Sequence, residues 1–271
     1  MIFDLHVHTN HSDGILSPER VVDLAVSKGL NGIAITDHDT ITGIEIGINH
    51  SLKYKNFKVI PGIEFSSVFM NEEVHILGYF VNYDLSDIID ITDKLRSSRI
   101  TRGLEIVEKI NNLGMDLTIE EVKAFSGEDY IGRPHIARAL IKKGYVLTIK
   151  EAFEKYLDRG KSAYVERYKI AIEDTIDLIK KSGGISVLAH PGLLKNKDII
   201  KYCISKGING LECIHSKHKK EDVLYLLKVA KDNNLIITGG SDCHGDIIHG
   251  DTLLGKYYVN LDDIPQMKGR I

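Results

Sequence analysis

The chain has 271 residues, of which 43% are hydrophobic and 27% charged, and its formal net charge is −3. This balance predicts a globular protein with one large α/β domain, or one domain that carries an insertion. The chain has no overall excess of positive charge of the kind that indicates binding to long nucleic acid. The sequence shows neither an apolar run near the roughly 20 residues that span a bilayer nor a basic and apolar leader, so we expect a cytoplasmic protein with no membrane partner.

The first predicted element is a buried strand that runs into the stretch DLHVHTNHSDG, residues 4–14. His6 and His8 lie on one face of this strand because side chains alternate along a strand. The turn that follows can bring the carboxylate of Asp13 back over the strand end, where imidazole and carboxylate groups together suit a metal ion. The alternative is a buried strand whose histidines form hydrogen bonds in the core.

Helices and strands then alternate up to about residue 80. Ser17, Pro18 and Glu19 are typical of a helix start, and Gly29 ends that helix. The next predicted elements are a strand at residues 32–36 before His38, a helix at 43–54, a strand at 57–63 before Glu64, and a strand at 73–80 that carries His75. Short, wholly apolar strands of this kind are typical of parallel sheets.

From about residue 87 to 167 the strand signal disappears and helical periodicity replaces it. One predicted helix ends at Gly114 and another at Gly144. Residues 94–169 contain 16 lysines and arginines and 11 acidic residues, a net charge of +5. This stretch predicts an inserted helical subdomain. Its charge favours an anionic ligand, with solvated basic helix faces as the alternative.

Strands and helices alternate again after the insertion. Strands are predicted at residues 185–189, 208–213 and 235–238, and helices at residues 173–182, 197–206 and 219–233. In the last of these helices we expect Leu224, Leu227 and Val229 to face inward.

Each predicted strand has a potential ligand at or just beyond its end. These residues are His6 and His8, His38, Glu64, His75, His190, Glu212 or His215, and Asp242 with His244. In a βα barrel the C-terminal strand ends face one rim, so residues scattered over the sequence meet in one bowl. A core histidine explains any single case, but it does not explain why the whole set follows apolar strands.

These motifs resemble the polymerase and histidinol phosphatase (PHP) superfamily of metal-dependent phosphoesterases. The matching pieces are DLHVHTNHSDG, TDHDT, PGIEFS, VHILGY, LAHPG and GGSDCHG. The insertion resembles the subgroup of small stand-alone nucleotide phosphoesterases, similar to 3′,5′-nucleoside bisphosphate phosphatases, through GRPHIARAL, EAFEKYLDRGKSAYV and GLECIHSKH. The subgroup match covers nearly the whole chain.

The resemblance implies an α/β fold, a distorted (β/α)7 TIM-like barrel with an inserted small helical subdomain. Residues 1–90 and 168–271 would form the barrel and carry the metal site, and residues 91–167 would form a substrate-binding lid. Two or three divalent ions are implied, and the ligand types favour Mn²⁺, Fe²⁺ or Zn²⁺. The implied ligand sets are His6, His8, Glu64 and Asp242; Glu64, as a bridge, with His75 and His190; and Asp13, His38 and His244. Cys243 is expected to face the core.

The implied activity is hydrolysis of phosphomonoesters of small nucleotides by a metal-bridged hydroxide, most directly at the 3′-phosphate of nucleoside 3′,5′-bisphosphates. The implied catalytic residues are Asp13, His38, Glu64 and Asp242, and the implied substrate-binding residues are Arg133, His135 and His218. The arginine fork suits phosphate at a helix start. Alternatively, Arg133 only pairs with an acid such as Glu128 or Asp129.

Three other functions stay open. One is a 5′→3′ exonuclease on short RNA or DNA oligonucleotides. Histidinol phosphatase is less favoured, because the insertion matches the nucleotide-acting subgroup better. A non-catalytic metal-binding module is the third, and the complete ligand set argues against it. The expected partner is a small phosphorylated nucleotide or a short oligonucleotide, and the protein is expected to be a monomer or a small homo-oligomer.

Overall fold

The strands form one mixed sheet. The computed structural model describes residues 1–70, 72–126, 130–247 and 250–271. Its strands are β1 (Ile2–Val7), β2 (Gly32–Ile35), β3 (Lys58–Phe69), β4 (Glu72–Tyr79), β5 (Ile170–Ala171), β6 (Ile185–Leu188), β7 (Gly210–His215), β8 (Ile236–Gly240) and β9 (Val259–Asn260). Their order is β8-β7-β6-β4-β3-β2-β1-β9, with β5 beside β3.

The sheet curls until β1 meets the segment that follows β8. The amide of His8 donates to the carbonyl of Cys243 at 3.0 Å, and the amide of Asp242 donates to the carbonyl of His6 at 2.9 Å. We call this junction, residues 6–8 with residues 240–243, the seam. It nearly closes a barrel, so the predicted barrel fold is confirmed.

The barrel is distorted because β4 runs antiparallel to both of its neighbours, β3 and β6. The seven predicted strands are all present, and the two short strands β5 and β9 were not predicted. Strand β3 is longer than predicted, because residues up to Phe69 pair with β4 in a hairpin. Glu64 therefore lies within β3, and its prediction as a strand-end residue is wrong.

The helices are α1 (Pro18–Ser27), α2 (Ile44–Ser51), α3 (Ser86–Asn112), α4 (Ile119–Lys123), α5 (Arg133–Lys142), α6 (Ile149–Ala152), α7 (Ile172–Lys181), α8 (Asp198–Ser205), α9 (Lys220–Asp232) and α10 (Pro265–Lys268). Helix α1 begins as predicted: Pro18 takes the first position, and the Ser17 hydroxyl accepts a hydrogen bond from the amide of Arg20. Among the described helices, none has the length and hydropathy that crossing a bilayer requires.

One predicted helix face is wrong. On α9, Leu226 and Ala230 are fully buried, whereas Leu224 is 62% exposed. Residues four positions apart share a helix face, and Leu224 lies two positions from Leu226, on the opposite side. Leu227 and Val229 are partly buried beside the core, in agreement with the prediction.

The insertion has a hydrophobic cluster distinct from those of the barrel. Helix α3 contributes to both: Ile88 and Leu95 pack in a barrel cluster, whereas Ile106 and Ile110 pack in the cluster of the insertion. The helix starts at Ser86 and runs past the predicted boundary at residue 91. The division of the chain at residues 91 and 167 stays a prediction.

Candidate metal centre

Glu64, on β3, lies among a group of histidines. Its carboxylate is fully buried. Oε2 is 2.9 Å from Nδ1 of His38, and Oε1 is 2.9 Å from Nδ1 of His75. Five imidazole nitrogens lie within 3.3 Å of the two oxygens, and they belong to His6, His8, His38, His75 and His190. Each carboxylate oxygen thus faces its own group of imidazoles, as a bridging ligand requires.

Asp13 lies in the turn after β1, where the sequence places it. Its Oδ1 is 3.2 Å from Nε2 of His244 and 3.9 Å from Nδ1 of His8. Its Oδ2 is 3.9 Å from Nε2 of His38. The carboxylate therefore gathers three imidazoles from three separate segments of the chain.

Asp242 lies at the seam, opposite the histidines of β1. Its Oδ1 is 3.2 Å from Nε2 of His8 and 3.7 Å from Nε2 of His6. Its Oδ2 is 3.1 Å from the ammonium group of Lys217. The neighbouring Cys243 packs in a hydrophobic cluster with Val7, so the prediction that it faces the core is confirmed.

The donor atoms of this cluster suit divalent cations. Several are buried without a hydrogen-bond partner among the described residues: Nε2 of His6, both ring nitrogens of His8, Oδ1 of Asp13, Nδ1 of His38 and Oε2 of Glu64. Buried polar atoms without partners are unfavourable, and a metal ion would satisfy them. Imidazole nitrogen and carboxylate oxygen together fit borderline divalent ions.

The predicted ligands lie close together, but their grouping differs from the implied sets. Potential ligand atoms lie within 4.8 Å of one another in four groups of described residues: His6, His8 and Glu64; His38, Glu64 and His75; His8, Asp13, His38 and His244; and His6, Glu212 and His215. His190 and Asp242 belong to none of these groups, but Nε2 of His190 is 3.0 Å from Glu64 and Oδ1 of Asp242 is 3.2 Å from His8. His8 thus also lies beside Asp13. His38 also lies beside Glu64, because the two residues form a parallel bridge.

Burial and neighbouring charges shift the pKa values of the groups at this centre in different directions. Burial would raise the pKa of the Glu64 carboxyl, but the imidazoles of His38 and His75 hold it well below its usual range. Burial lowers the pKa of His8 to about 3, so this ring is neutral at pH 7, the state that binds metal. Burial would lower the pKa of His75 as well, but the Glu64 carboxylate raises it to about 10.

The sequence predicts Glu212 or His215 as the potential ligand of its strand, and neither belongs to the implied ligand sets. Glu212 is fully buried on β7. Its Oε1 is 2.9 Å from Nδ1 of His6, and its Oε2 accepts a hydrogen bond from the amide of His190 at 2.7 Å. His215, on the same strand, has Nε2 3.4 Å from Oδ2 of Asp242. The sequence signal was a buried glutamate inside an otherwise apolar strand.

Arg133 begins helix α5 and lines an open cleft of about 750 Å³. The same cleft is lined by His75 and His190 of the metal centre. The guanidinium group lies 3.8 Å from the carboxylate of Glu73 and donates to the carbonyl of Leu157. Its alternative partners Glu128 and Asp129 lie outside the described residues.

His135 and His218 are held by backbone groups. His135 is fully buried, and its Nδ1 accepts a hydrogen bond from the amide of Gly132. Burial lowers its pKa to about 4. Nε2 of His218 accepts from the amide of Gly192, and Nδ1 donates to the carbonyl of Cys213. His218 therefore shapes the loop after β6, and its contact with a substrate stays a prediction.

Comparisons with known proteins identify a family and several relatives of this chain. Residues 4–190 match the PHP domain family. The 5′-3′ exoribonuclease Rnm of Salmonella typhimurium is 32% identical, in an alignment that covers 90% of this chain and 85% of that protein. The 3′,5′-nucleoside bisphosphate phosphatase of Chromobacterium violaceum is 28% identical, over 89% of this chain and 86% of that protein.

A solved structure shares the whole fold. A protein from Bifidobacterium adolescentis, whose structure is named as that of a metal-dependent phosphoesterase, aligns with a TM-score of 0.90 and 30% identity over 99% of this chain and 96% of that one. The family match covers more than half of the chain, and it includes seven of the nine predicted metal ligands. The chain therefore belongs to the PHP domain family and is a metal-dependent phosphoesterase.

Proposed function

We propose that the protein hydrolyses the 3′-phosphate ester of a nucleotide that also carries a 5′-phosphate, most directly a nucleoside 3′,5′-bisphosphate. The observation that carries this proposal is the cleft shared by His75, His190 and Arg133. A substrate in this cleft can present one phosphate to the metal centre and a second phosphate to an arginine. A cleft of about 750 Å³ has room for a nucleotide, since small-molecule sites commonly measure about 300–1,000 Å³.

Nine residues would hold the ions: His6, His8, Asp13, His38, Glu64, His75, His190, Asp242 and His244. Divalent ions such as Mn²⁺, Fe²⁺ or Zn²⁺, two or three of them, would supply Lewis-acid chemistry that polarises the phosphoryl oxygens and lowers the pKa of water. In this proposal Asp13, His38, Glu64 and Asp242 are catalytic because they would hold the ions that act on the reacting phosphate.

The remaining side chains bind and orient the substrate. Arg133 offers a planar, permanently charged fork to the phosphate that does not react. The exposed ammonium group of Lys217, beside Asp242, adds positive charge at the rim. Leu193, Leu194 and Tyr164 line the same cleft and offer apolar surface to a nucleobase. Hydrolysis adds a water oxygen to phosphorus, breaks the bond to the 3′ oxygen and leaves a proton on that oxygen.

A 5′→3′ exonuclease acting on short RNA is the second candidate. The same bond between phosphorus and the 3′ oxygen would break. The phosphate, however, would remain on the 5′ oxygen of the next nucleotide, and the first nucleotide would be released. The open shape of the cleft, which Lys161 and Lys195 also line, favours this second candidate. So does the 32% identity to the Salmonella exoribonuclease.

A turnover screen separates the candidates. The full chain, loaded with Mn²⁺, is assayed on adenosine 3′,5′-bisphosphate, on AMP and on a short RNA with a 5′-phosphate or a 5′-hydroxyl. Histidinol phosphate serves as the comparison substrate. Preferred turnover of the bisphosphate supports the proposal, and preferred release of mononucleotides from 5′-phosphorylated RNA supports the second candidate. Absence of turnover on every substrate, with metal bound, would leave a metal-binding module.

A further inference from the structure

A buried arginine without a counter-ion lies where the insertion meets the barrel. Arg102, on α3, is 4% exposed. Among the described residues no carboxylate lies within ion-pair distance of it, and its Nε has no hydrogen-bond partner. Burial and the charges of Arg167 and Arg99 hold the pKa of Arg102 well below its usual range. An unpaired buried cation is strongly unfavourable, so an anion is its natural partner.

The surrounding arginines share too few carboxylates to neutralise it. Arg99 pairs with Asp39 at 2.6 Å, and Arg167 lies 3.4 Å from both Asp39 and Glu73. Arg133 lies 3.8 Å from Glu73. Four guanidinium groups, counting Arg102, therefore surround two carboxylates and leave a charge of about +2, which a phosphate monoester of charge near −2 would balance.

Hydrogen-bond donors are also left over in this region. Nε of Arg102, Nε of Arg167, Oη of Tyr130 and Nε2 of His135 are buried without partners among the described residues. The ring of Tyr130 lies 4.8 Å from the guanidinium carbon of Arg99 and 5.7 Å from the ring of His135. Unused donors beside excess positive charge are what a phosphate requires.

Helix α3 can approach this region closely because of Gly103. A Cβ atom at this position would come within 2.4 Å of Cγ2 of Ile131. The absence of a side chain lets α3 pack directly against the segment at residues 130–135. Arg99 and Arg102, three positions apart, lie on one side of helix α3, and the guanidinium group of Arg99 lies over the ring of Tyr130.

We propose that Arg102, Arg167 and Tyr130 form an anion site that binds the non-reacting phosphate of the substrate. This inference rests on the proposed function and deepens it, since it makes Arg102, in addition to Arg133, a residue that binds the non-reacting phosphate. Glu73 lines the cleft and lies 3.4 Å from Arg167, so the cleft borders this site. The ligand class is a phosphate monoester dianion, such as the 5′-phosphate of a nucleotide.

The test measures binding of AMP, with adenosine as the comparison ligand, to the Mn²⁺-loaded full chain by thermal shift and calorimetry. We expect AMP, but not adenosine, to raise the melting temperature of the wild type. Arg102→Met should raise the dissociation constant for AMP about 10- to 100-fold, the effect of losing a charge-assisted hydrogen bond. Without ligand, this variant should melt at or above the wild-type temperature, because an uncompensated charge is removed.

Two further variants make the result decisive. Arg102→Lys keeps the charge and loses the planar fork, so it should fold normally and bind AMP more weakly than the wild type. Arg96→Met, on a partly exposed arginine of the same helix, should bind AMP like the wild type. Unchanged AMP binding in both Arg102 variants would overturn the inference. So would a lower melting temperature of unliganded Arg102→Met, which would show that the arginine stabilises the fold.

Failure of this inference is distinguishable from failure of the proposed function. Turnover of the bisphosphate with AMP binding independent of Arg102 would refute only the anion site. AMP binding that depends on Arg102, without turnover of the bisphosphate, would refute only the proposed substrate.

Discussion

Two buried glutamates of the metal centre have different roles because they face different atoms. Glu64 presents each of its two oxygens to imidazole nitrogens of several histidines. Oε1 of Glu212 lies 2.9 Å from Nδ1 of His6, so a neutral ring that donates from Nδ1 would leave the lone pair of Nε2 for a metal ion. The other oxygen of Glu212 holds the backbone amide of His190. Glu64 is a candidate ligand, and Glu212 positions ligands.

Glu64→Gln keeps the shape of the side chain and removes its charge. We expect hydrolysis to fall much further than the roughly 10- to 100-fold typical of a residue that supports a ligand, because one carboxylate serves several ions. Turnover and bound metal, measured by elemental analysis in excess Mn²⁺, test this. Glu45→Gln, on an exposed residue of α2, is the control. Near wild-type turnover of the Glu64→Gln variant would contradict a bridging role.

Glu212→Gln should weaken metal binding about 10- to 100-fold. A glutamine has a single carbonyl oxygen, so it cannot accept hydrogen bonds from both His6 and His190 as the carboxylate does. Competition with a coloured chelator measures the affinity. Turnover at saturating metal should recover much of its wild-type value, a split that a ligand mutation would not show. Unchanged affinity would limit Glu212 to a role in packing.

Among the helices, α1 and α2 are joined by one acidic residue. The carboxylate of Asp23 accepts hydrogen bonds from the Tyr54 hydroxyl and from Nε2 of His50, both at 2.7 Å, and lies 3.0 Å from the ammonium group of Lys53. The hydrogen bonds from Tyr54 and His50 hold the pKa of Asp23 well below its usual range. This carboxylate therefore stabilises the packing of the two helices only while it is ionised.

The stability difference between the wild type and Asp23→Asn should depend on pH. A depressed pKa in the folded state contributes stability above the unfolded-state pKa of about 3.9, and this contribution is lost as the pH falls toward the folded-state pKa. Melting temperatures at pH 7 should favour the wild type, and the gap should shrink below about pH 4. A gap that is constant across this range would mean that charge at Asp23 is irrelevant.

Helix α5 places Arg133 at the edge of the cleft. Binding energy from a non-reacting phosphate positions the reacting one, so Arg133→Ala should lower kcat/KM for the bisphosphate on the order of 10²-fold. The loss on a small aryl phosphate should be much smaller, because that substrate has no second phosphate. Steady-state assays on both substrates test this, with the exposed Lys142→Ala of the same helix as the control. Equal losses on both substrates would show that Arg133 does not select the substrate.

At the scale of the whole molecule, the gathering of the candidate ligands was predictable from the sequence. His6, His38 and His190 each follow or end a short apolar strand, and parallel strands bring such ends to one rim. The antiparallel direction of β4 was not predictable in this way, because strand periodicity carries no information on direction. The length of β3 was missed because its apolar run stops at Ile63, and the polar residues Glu64, Ser66 and Ser67 that follow made Glu64 look terminal.

The buried arginines were also missed. Arg99, Arg102 and Arg167 lie in a stretch whose helical pattern predicts exposed charges, and arginine is rarely buried without a partner. Only the excess of basic residues over positions 94–169 pointed to an anionic ligand. Burial depends on which helix face meets the barrel, and that is decided by contacts distant in sequence, such as Gly103 against Ile131.

The seam has a consequence for the stability of the barrel. His6 and His8 approach it from one side, Asp242 and His244 from the other, so ions held between them would tie together positions at opposite ends of the chain. Removal of metal by a chelator should leave the barrel folded, because its apolar core is large. Hydrogen exchange of the His8 and Asp242 amides should become faster, while exchange along β3 should change little. Uniform acceleration or global unfolding would contradict this.

Bound ions would therefore also hold the barrel closed at the seam. Opening at the seam would become easier only after metal is lost, so the protein would open there only while it is unable to act on a substrate.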